Sequence, residues 1–177
     1  LRHRLPIPDS YIESKDVFKD ILDQYGIYSK ENQIECFELY KNIQINLTPY
    51  KAFKQLIDLK KNIGFKMGLI TNGVIEAQKN KVKCLNIEQN FDAIVYARTW
   101  GKKTEKPHKL PFIKLLEKLH ATTKNTIMIG DMLETDIKGA LNMNLSSIWI
   151  NESKQIISGT KKVKNLSECV NLIKKIL

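Results

Sequence analysis

The sequence predicts an α/β protein with a parallel sheet, helices on both faces of that sheet, and a helical segment at its N-terminal end. From about residue 65 onward, short apolar runs of strand length alternate with amphipathic helical patterns. This alternation is typical of parallel sheets whose crossover helices cover both faces. Before that point the apolar residues recur only with helical spacing. We therefore expect a three-layer core preceded by helices.

Helices are predicted throughout the first third of the chain. Apolar residues share one helical face from Ser14, and Gly26 ends that pattern. Ser29 can cap a second helix. Thr48-Pro49 suits the start of a third helix, with threonine as the cap, and Gly64 ends it.

Strands and helices alternate in the remainder. Each predicted strand is a short apolar run that stops at turn-forming residues or at a polar loop. The predicted strands cover residues 65–70, 93–97, 126–129 and 147–150, and the predicted helices cover residues 74–85, 110–120, 134–143 and 166–176.

The composition of the chain is that of a globular protein domain. The chain has 177 residues, of which 42% are hydrophobic and 27% charged, as in one globular domain with a small appendage. No apolar run approaches the roughly 20 residues that span a bilayer, and no signal peptide is visible, so we expect no membrane association. Three scattered cysteines, Cys36, Cys84 and Cys169, predict reduced thiols in a cytoplasmic protein.

The formal net charge of +10 comes almost wholly from lysine, because Arg2, Arg4 and Arg98 are the only arginines. Nucleic-acid binding is one interpretation of such a surplus. The other interpretation is that the lysines lie on solvated helix faces. We favour it because arginine makes the commonest specific base contacts, and arginine is nearly absent here. A basic surface also attracts small phosphorylated molecules.

Polar clusters lie near the carboxyl ends of the predicted strands, where open parallel sheets bind ligands. In Thr71-Asn72-Gly73, a hydroxyl and backbone N–H groups suit phosphate oxygens, although a plain turn is the alternative. Lys106-Pro107 lies in a lysine-rich loop, which is either solvated or places one cation on a transferring phosphoryl group. Proline restrains the residue before it, which favours one fixed lysine.

A third cluster follows the strand at residues 126–129: Gly130 and Asp131, then Asp136. Two carboxylates at this point can converge on Mg²⁺, which selects oxygen ligands. Favourable interaction with a helix dipole explains Asp136 equally well. It does not explain Asp131, which follows the strand behind a glycine and is expected to face the pocket.

Together, these clusters resemble the second, third and fourth motifs of the haloacid dehalogenase-like (HAD) superfamily of phosphohydrolases. The matching stretches are GLITNG at 68–73, EKPHKLPF at 105–112 and IMIGDMLETDIKGA at 127–140. The resemblance implies a Rossmann-like core over residues 48–177 and the remnant of a helical cap over residues 1–47.

The same resemblance assigns roles to individual residues. It implies that Thr71 holds the phosphoryl group, with Asn72 and Gly73 beside it in the phosphate site. Lys106 would steady both the nucleophile and the phosphate. Asp131 would help to bind Mg²⁺, with Asp136 supporting it.

One motif of the superfamily is missing: an apolar strand that ends in Asp-x-Asp has no counterpart in these 177 residues. In the superfamily its first aspartate attacks phosphorus, its second is the general acid and base, and its strand is central in the sheet. We therefore expect this chain alone to be inactive or nearly so. It is either a fragment of a phosphatase for a small phosphorylated metabolite, working through an aspartyl-phosphate, or an inactive phosphate-binding or protein-interaction module. The sequence leaves the oligomeric state open.

Overall fold

The computed structural model describes residues 17–177, which divide into two units between Gln44 and Ile45. The described part of the first unit contains helices α1 (Val17–Gln24) and α2 (Lys30–Asn42). Ser29 caps α2 as predicted, because its hydroxyl accepts a hydrogen bond from the Asn32 N–H at 3.1 Å. Leu22 is the one buried residue among residues 17–44, so this unit has almost no core of its own.

The second unit begins with helix α3 (Lys51–Ile63). The prediction that Thr48 caps this helix is wrong, because the N-cap is Tyr50, which makes no capping hydrogen bond through its side chain. Gly64 ends α3 as predicted: it adopts the left-handed conformation, with φ of 84°, and its N–H donates to the Lys60 carbonyl.

Five short strands and four more α-helices follow, and they alternate except that β5 comes directly after β4. The strands are β1 (Gly68–Thr71), β2 (Ala93–Tyr96), β3 (Ile127–Gly130), β4 (Ser146–Ile150) and β5 (Thr160–Val163), and the helices are α4 (Ile75–Leu85), α5 (Lys109–Leu119), α6 (Lys138–Asn142) and α7 (Leu166–Ile176). The region predicted as a helix at 134–143 begins instead with a π-helical turn, Leu133–Ile137, before α6. None of the helices described has the length and hydropathy to cross a membrane.

All strand pairings described are parallel, as predicted, but the strands form two hydrogen-bonded groups. One group contains β1 and β2, and the other contains β3, β4 and β5 in that order. No ladder within residues 17–177 joins β1 to β3. This is the position in which the superfamily places the strand of its first motif, so the interruption agrees with the absence of that motif from the sequence.

Apolar cores lie on both faces of the strands, which gives the three layers that the alternation predicts. Along β3, Ile127 and Ile129 pack on the core formed with α3 and α7, whereas Met128 packs on the core formed with α5 and α6. Successive side chains of a strand point to opposite faces. Helices therefore cover both faces, and the carboxyl ends of the strands remain available for polar groups.

Candidate active site

A cavity of about 710 Å³ lies between β1 and β3. Backbone and side chains from both strands line it, together with apolar side chains of α3, α5 and α7. Four charged residues also line it: Lys66, Lys106, Asp131 and Asp136. Asp131 directly follows the carboxyl end of β3, so the cavity joins the sheet interior to the edge where the sequence predicts a site.

Lys106 connects the two sides of this cavity. Its ammonium group donates to the carbonyl oxygen of Ile70 in β1 at 3.0 Å and to Oδ1 of Asp136 at 2.7 Å. The two charged side chains are only 10% and 7% exposed. A buried charge is costly unless it is paired and hydrogen-bonded, so each of these residues fixes the other in place. The structure thus brings together two of the predicted site residues.

Asp136 approaches β3 closely because Gly130 has no side chain. Its second carboxylate oxygen accepts the Met132 N–H at 3.1 Å. A Cβ atom added at Gly130 would lie 2.4 Å from Cβ of Asp136, which is closer than two carbon atoms can approach. The glycine before Asp131 is therefore a steric requirement of the ion pair between Lys106 and Asp136.

Asn72 holds the backbone of Lys106. Its side-chain amide donates from Nδ2 to the Lys106 carbonyl and accepts from the Lys106 N–H at Oδ1, both at 2.9 Å. The resemblance implies a place for Asn72 in the phosphate site, whereas its side chain here orients the catalytic candidate Lys106. A role in positioning is thus what the geometry supports for this side chain.

Gly73 makes a second link to the same loop, through Glu105. Its N–H donates to Oε1 of Glu105, and Arg98 donates to both oxygens of that carboxylate, at 2.9 and 3.2 Å. Burial raises the pKa of Glu105, but the hydrogen bonds from Arg98 and Gly73 outweigh it and hold the pKa below its ordinary value. A phosphate oxygen could accept from the Gly73 N–H only by displacing this carboxylate. We call the contacts among Asn72, Gly73, Arg98, Glu105 and Lys106 the loop clasp.

The sequence reasoning gave no role to Glu105 or Arg98. A signal was nevertheless present: Glu105 is the one acidic residue in the lysine-rich stretch 102–109, and Arg98 is the one arginine among residues 17–177. An isolated acid and an isolated arginine seven positions apart are a reasonable ion-pair candidate, since arginine forms two parallel hydrogen bonds with a carboxylate.

Thr71 is the last residue of β1, at the predicted edge of the sheet. Its hydroxyl donates to Oε1 of Gln78 in α4 at 2.7 Å. To hold a phosphoryl oxygen, this hydroxyl has to exchange that partner. Gln78 is a third residue to which the sequence analysis assigned no role.

Asp131 and Asp136 supply the oxygen donors of the predicted Mg²⁺ site. Both oxygens of Asp136 already accept hydrogen bonds, whereas Asp131 is exposed. Among the residues described, no group of three or more histidine, cysteine or acidic side chains is placed to hold a metal. Mg²⁺ in phosphate-processing sites commonly takes one or two protein carboxylates and completes its shell with water and phosphate, so this donor set fits the ion, with Asp131 as the better candidate ligand.

Comparison with known proteins decides the family. Residues 12–150 match the family model of the haloacid dehalogenase-like hydrolases. The chain belongs to this family. This match confirms the resemblance drawn from the three motifs. HAD proteins as a family generally use Mg²⁺.

Characterised relatives include several phosphatases. The chain is 34% identical over 122 residues to N-acylneuraminate-9-phosphatase of Rattus norvegicus, covering 67% of this chain and 48% of the relative. It is 33% identical over 103 residues to glyceraldehyde 3-phosphate phosphatase of Pyrococcus abyssi, covering 58% of this chain and 42% of the relative. The chain therefore spans about half the length of the curated relatives it matches.

Solved structures support the fold. A HAD phosphatase from Thermococcus onnurineus superimposes with a TM-score of 0.63 at 20% identity, covering 93% of this chain and 74% of that one. YfnB from Bacillus subtilis, whose structure is described as bound to magnesium, superimposes with a TM-score of 0.69 at 23% identity. The match covers 89% of this chain and 69% of YfnB. At these identities the likeness establishes the HAD fold alone.

Proposed function

We propose that this chain is part of a Mg²⁺-dependent phosphatase that acts on a small phosphorylated metabolite, and that the attacking aspartate lies on a segment preceding residue 1. The observation that carries the proposal is the position of Lys106. Its buried ammonium group reaches both β1 and Asp136 at the mouth of a cavity that Asp131 also lines. A fixed cation beside carboxylates is suited to stabilising a transferring phosphoryl group.

The named relatives support the reaction class and the kind of substrate. They are phosphatases of an N-acylneuraminate and of glyceraldehyde 3-phosphate. We also propose that residues 1–47 are the remnant of a cap and residues 48–177 the core, in line with the division between Gln44 and Ile45. A cytoplasmic location is supported by the three cysteines, none of which forms a disulfide.

In this proposal each residue of the chain has a distinct task. Thr71 turns its hydroxyl from Gln78 to a phosphoryl oxygen. Lys106, held by Asn72, places its positive charge between that oxygen and the attacking carboxylate. Mg²⁺ held by Asp131 supplies positive charge that offsets the charge of the phosphate.

The covalent steps follow the superfamily's mechanism. A carboxylate oxygen of the first aspartate of the Asp-x-Asp motif attacks phosphorus, and the bond from phosphorus to the ester oxygen breaks. The second aspartate gives its proton to that leaving oxygen. Water then attacks the phosphorus of the aspartyl-phosphate, the bond from phosphorus to the aspartate oxygen breaks, and a proton of the water passes to the second aspartate. Inorganic phosphate leaves, and both carboxyl groups return to their starting states.

A binding module without turnover is the second candidate. It is favoured by one observation: Asp136, one of the two aspartates that line the cavity, is held in an ion pair with Lys106 and is not placed to attack a phosphoryl group. Such a module would bind phosphate through Lys106 and Thr71 and release it unchanged. It predicts that phosphate raises the melting temperature, with no hydrolysis under any condition.

Two chains test the proposal: the 177 residues alone, and a version extended upstream to the start of the reading frame. We expect p-nitrophenyl phosphate to be hydrolysed by the extended chain with Mg²⁺, but not with excess EDTA and not by the short chain. Asp131→Asn should abolish most of that hydrolysis, whereas Asp58→Asn, an exposed position on α3, should leave it intact. Robust hydrolysis by the short chain, or an extended chain that lacks Asp-x-Asp and is protected by phosphate without turnover, would contradict the proposal.

A further inference from the structure

Gln78, in the first turn of α4, reaches back to the end of β1. Its backbone N–H donates to the Val74 carbonyl at 3.0 Å, so the helix fixes the point from which the side chain extends. Oε1 of this side chain accepts the hydrogen bond from the Thr71 hydroxyl at 2.7 Å. Nε2 lies against Gly73, because a Cβ atom added at that glycine would be 2.9 Å from it. One side chain thus contacts two residues of the predicted phosphate site.

The hydroxyl of Thr71 has a single proton, and Gln78 holds it. The other acceptor described near this hydroxyl is the Asn72 carbonyl at 3.4 Å, which is too distant for a hydrogen bond of similar strength. Phosphate oxygens are strong hydrogen-bond acceptors and need a donor opposite them. In this arrangement Thr71 offers a phosphoryl group only its oxygen lone pairs, so its proton has to be released before it can bind phosphate.

The side-chain amide of Gln78 can release this proton without losing its contact with Thr71. A glutamine amide carries an acceptor oxygen and a donor nitrogen, and a half-turn about its last rotatable bond exchanges them at little cost because that torsion is nearly two-fold. Within residues 17–177, Nε2 of Gln78 makes no hydrogen bond that the turn would break. If the hydroxyl turned away and the amide did not, the half-buried Oε1 would lose its partner, which is unfavourable.

We propose that Gln78 is a positioning residue of the phosphate site and that its amide reverses when phosphate binds. In the free chain Oε1 accepts the proton of Thr71. In the bound chain Nε2 donates to Oγ1 of Thr71, and the hydroxyl donates to a phosphoryl oxygen. Only hydrogen bonds change, and every proton stays on its own heavy atom. This inference rests on the proposed function in so far as Thr71 binds phosphate, but it does not require that phosphate esters be hydrolysed.

Gln78→Glu tests the reversal, because an ionised carboxylate keeps the acceptor and loses the donor. We expect the affinity of the extended chain for inorganic phosphate, measured by calorimetry at pH 8, to fall about tenfold or more. Towards pH 5 the glutamic acid gains a proton that it can donate to Thr71, so the ratio of variant to parent affinity should move back towards one. Glu105, which is bonded to Gly73, titrates in both chains and cancels in this ratio. Gln55→Glu, at an exposed position on α3, makes the same change of charge and should leave the affinity unchanged.

A double-mutant cycle separates action through Thr71 from a general effect on packing. Gln78→Met keeps the length of the side chain and removes both hydrogen-bonding atoms, and Thr71→Val keeps the shape and removes the hydroxyl. We expect Gln78→Met alone to weaken phosphate binding about threefold or more. In the presence of Thr71→Val it should have no further effect, because the group through which it acts is absent. Thermal unfolding without phosphate verifies that each variant is folded.

Several results would overturn the proposal. These are equal phosphate affinity of the parent and Gln78→Glu at pH 8, a ratio of affinities that does not vary with pH, and additive effects of Gln78→Met and Thr71→Val. Absence of phosphate binding by the parent would overturn it together with the role of Thr71. Phosphate binding that depends on Gln78, without hydrolysis of p-nitrophenyl phosphate, supports this inference and counts against the proposed phosphatase. Hydrolysis that Gln78→Glu leaves unchanged does the opposite, so the two can fail separately.

Discussion

The two sides of the cavity differ in how completely they are built. On the β1 side, the loop clasp fixes the chain after Thr71 through Asn72, Gly73 and their partners in the Lys106 loop. On the β3 side, Asp131 is exposed, and Asp136 accepts a hydrogen bond from Lys106. The difference teaches that contacts within this chain fix the β1 side, whereas on the β3 side the proposed metal ligand Asp131 lies at the surface.

Substitution of Lys106 should have the largest effect, because Lys106 makes contacts on both the β1 side and the β3 side of the cavity. Lys106→Met leaves the buried carboxylate of Asp136 without its cation, and removing one partner of a buried pair costs about 3–5 kcal/mol. Urea unfolding should show this loss, and the matched variant Lys102→Met, at an exposed position, should change stability by less than about 0.5 kcal/mol. Equal effects of the two substitutions would contradict the buried ion pair.

The β3 side alone can be tested at Gly130. Gly130→Ala places a Cβ atom 2.4 Å from Cβ of Asp136, and relief requires a backbone shift that costs up to about 3 kcal/mol. Gly68→Ala is the matched control in β1, where the added atom meets the side chain of Leu115 at 2.6 Å, which can rotate away. We expect thermal unfolding to show the larger loss for Gly130→Ala; the reverse order would contradict the close approach of Asp136.

The β1 side alone can be tested at Asn72. Asn72→Ala removes two hydrogen bonds to the backbone of Lys106, which should cost about 1–2 kcal/mol. In the extended chain it should lower kcat more than it raises KM, because the lysine is misplaced but not removed. Asn62→Ala, on the exposed surface of α3, is the control. A change in stability with an unchanged kcat would show that Asn72 has a structural role and does not position Lys106 for catalysis.

The smallest expected effect concerns the charge of Glu105. Its pKa is lowered in the folded chain, so its carboxylate stabilises the fold above its ordinary pKa of 4.5, and this stabilisation is lost as pH falls through the folded pKa. The difference in free energy of unfolding between the parent chain and Glu105→Gln should therefore shrink as the pH is lowered below about 4.5. Denaturant titrations across that range measure it. A difference that does not vary with pH would contradict the ionised loop clasp.

Much of the fold could be predicted from local patterns. The bounds of α7 agree with its periodicity, and Ser29 and Gly64 act at helix ends as their chemistry predicts. β5 could not be predicted in the same way, because Val163 is the one apolar residue in the four-residue strand TKKV. Such a strand is formed by its pairing with β4, a tertiary contact that its own sequence does not specify.

In the site, too, the sequence does not specify the tertiary contacts. Motif order indicates that Thr71, Lys106, Asp131 and Asp136 lie near one edge of the sheet, because parallel strands end there together. Which of them touch is decided by side-chain geometry. The pairing of Lys106 with Asp136 spans 30 positions of sequence, and no spacing rule selects it over a pairing with Asp131.

The interrupted sheet also affects how the protein behaves in concentrated solution. β5 carries lysines at two of its four positions, a common protection against edge-to-edge aggregation, whereas β1 (GLIT) and β3 (IMIG) carry no charge. The edges of β1 and β3 therefore lack this protection, although the net charge of the whole chain is +10.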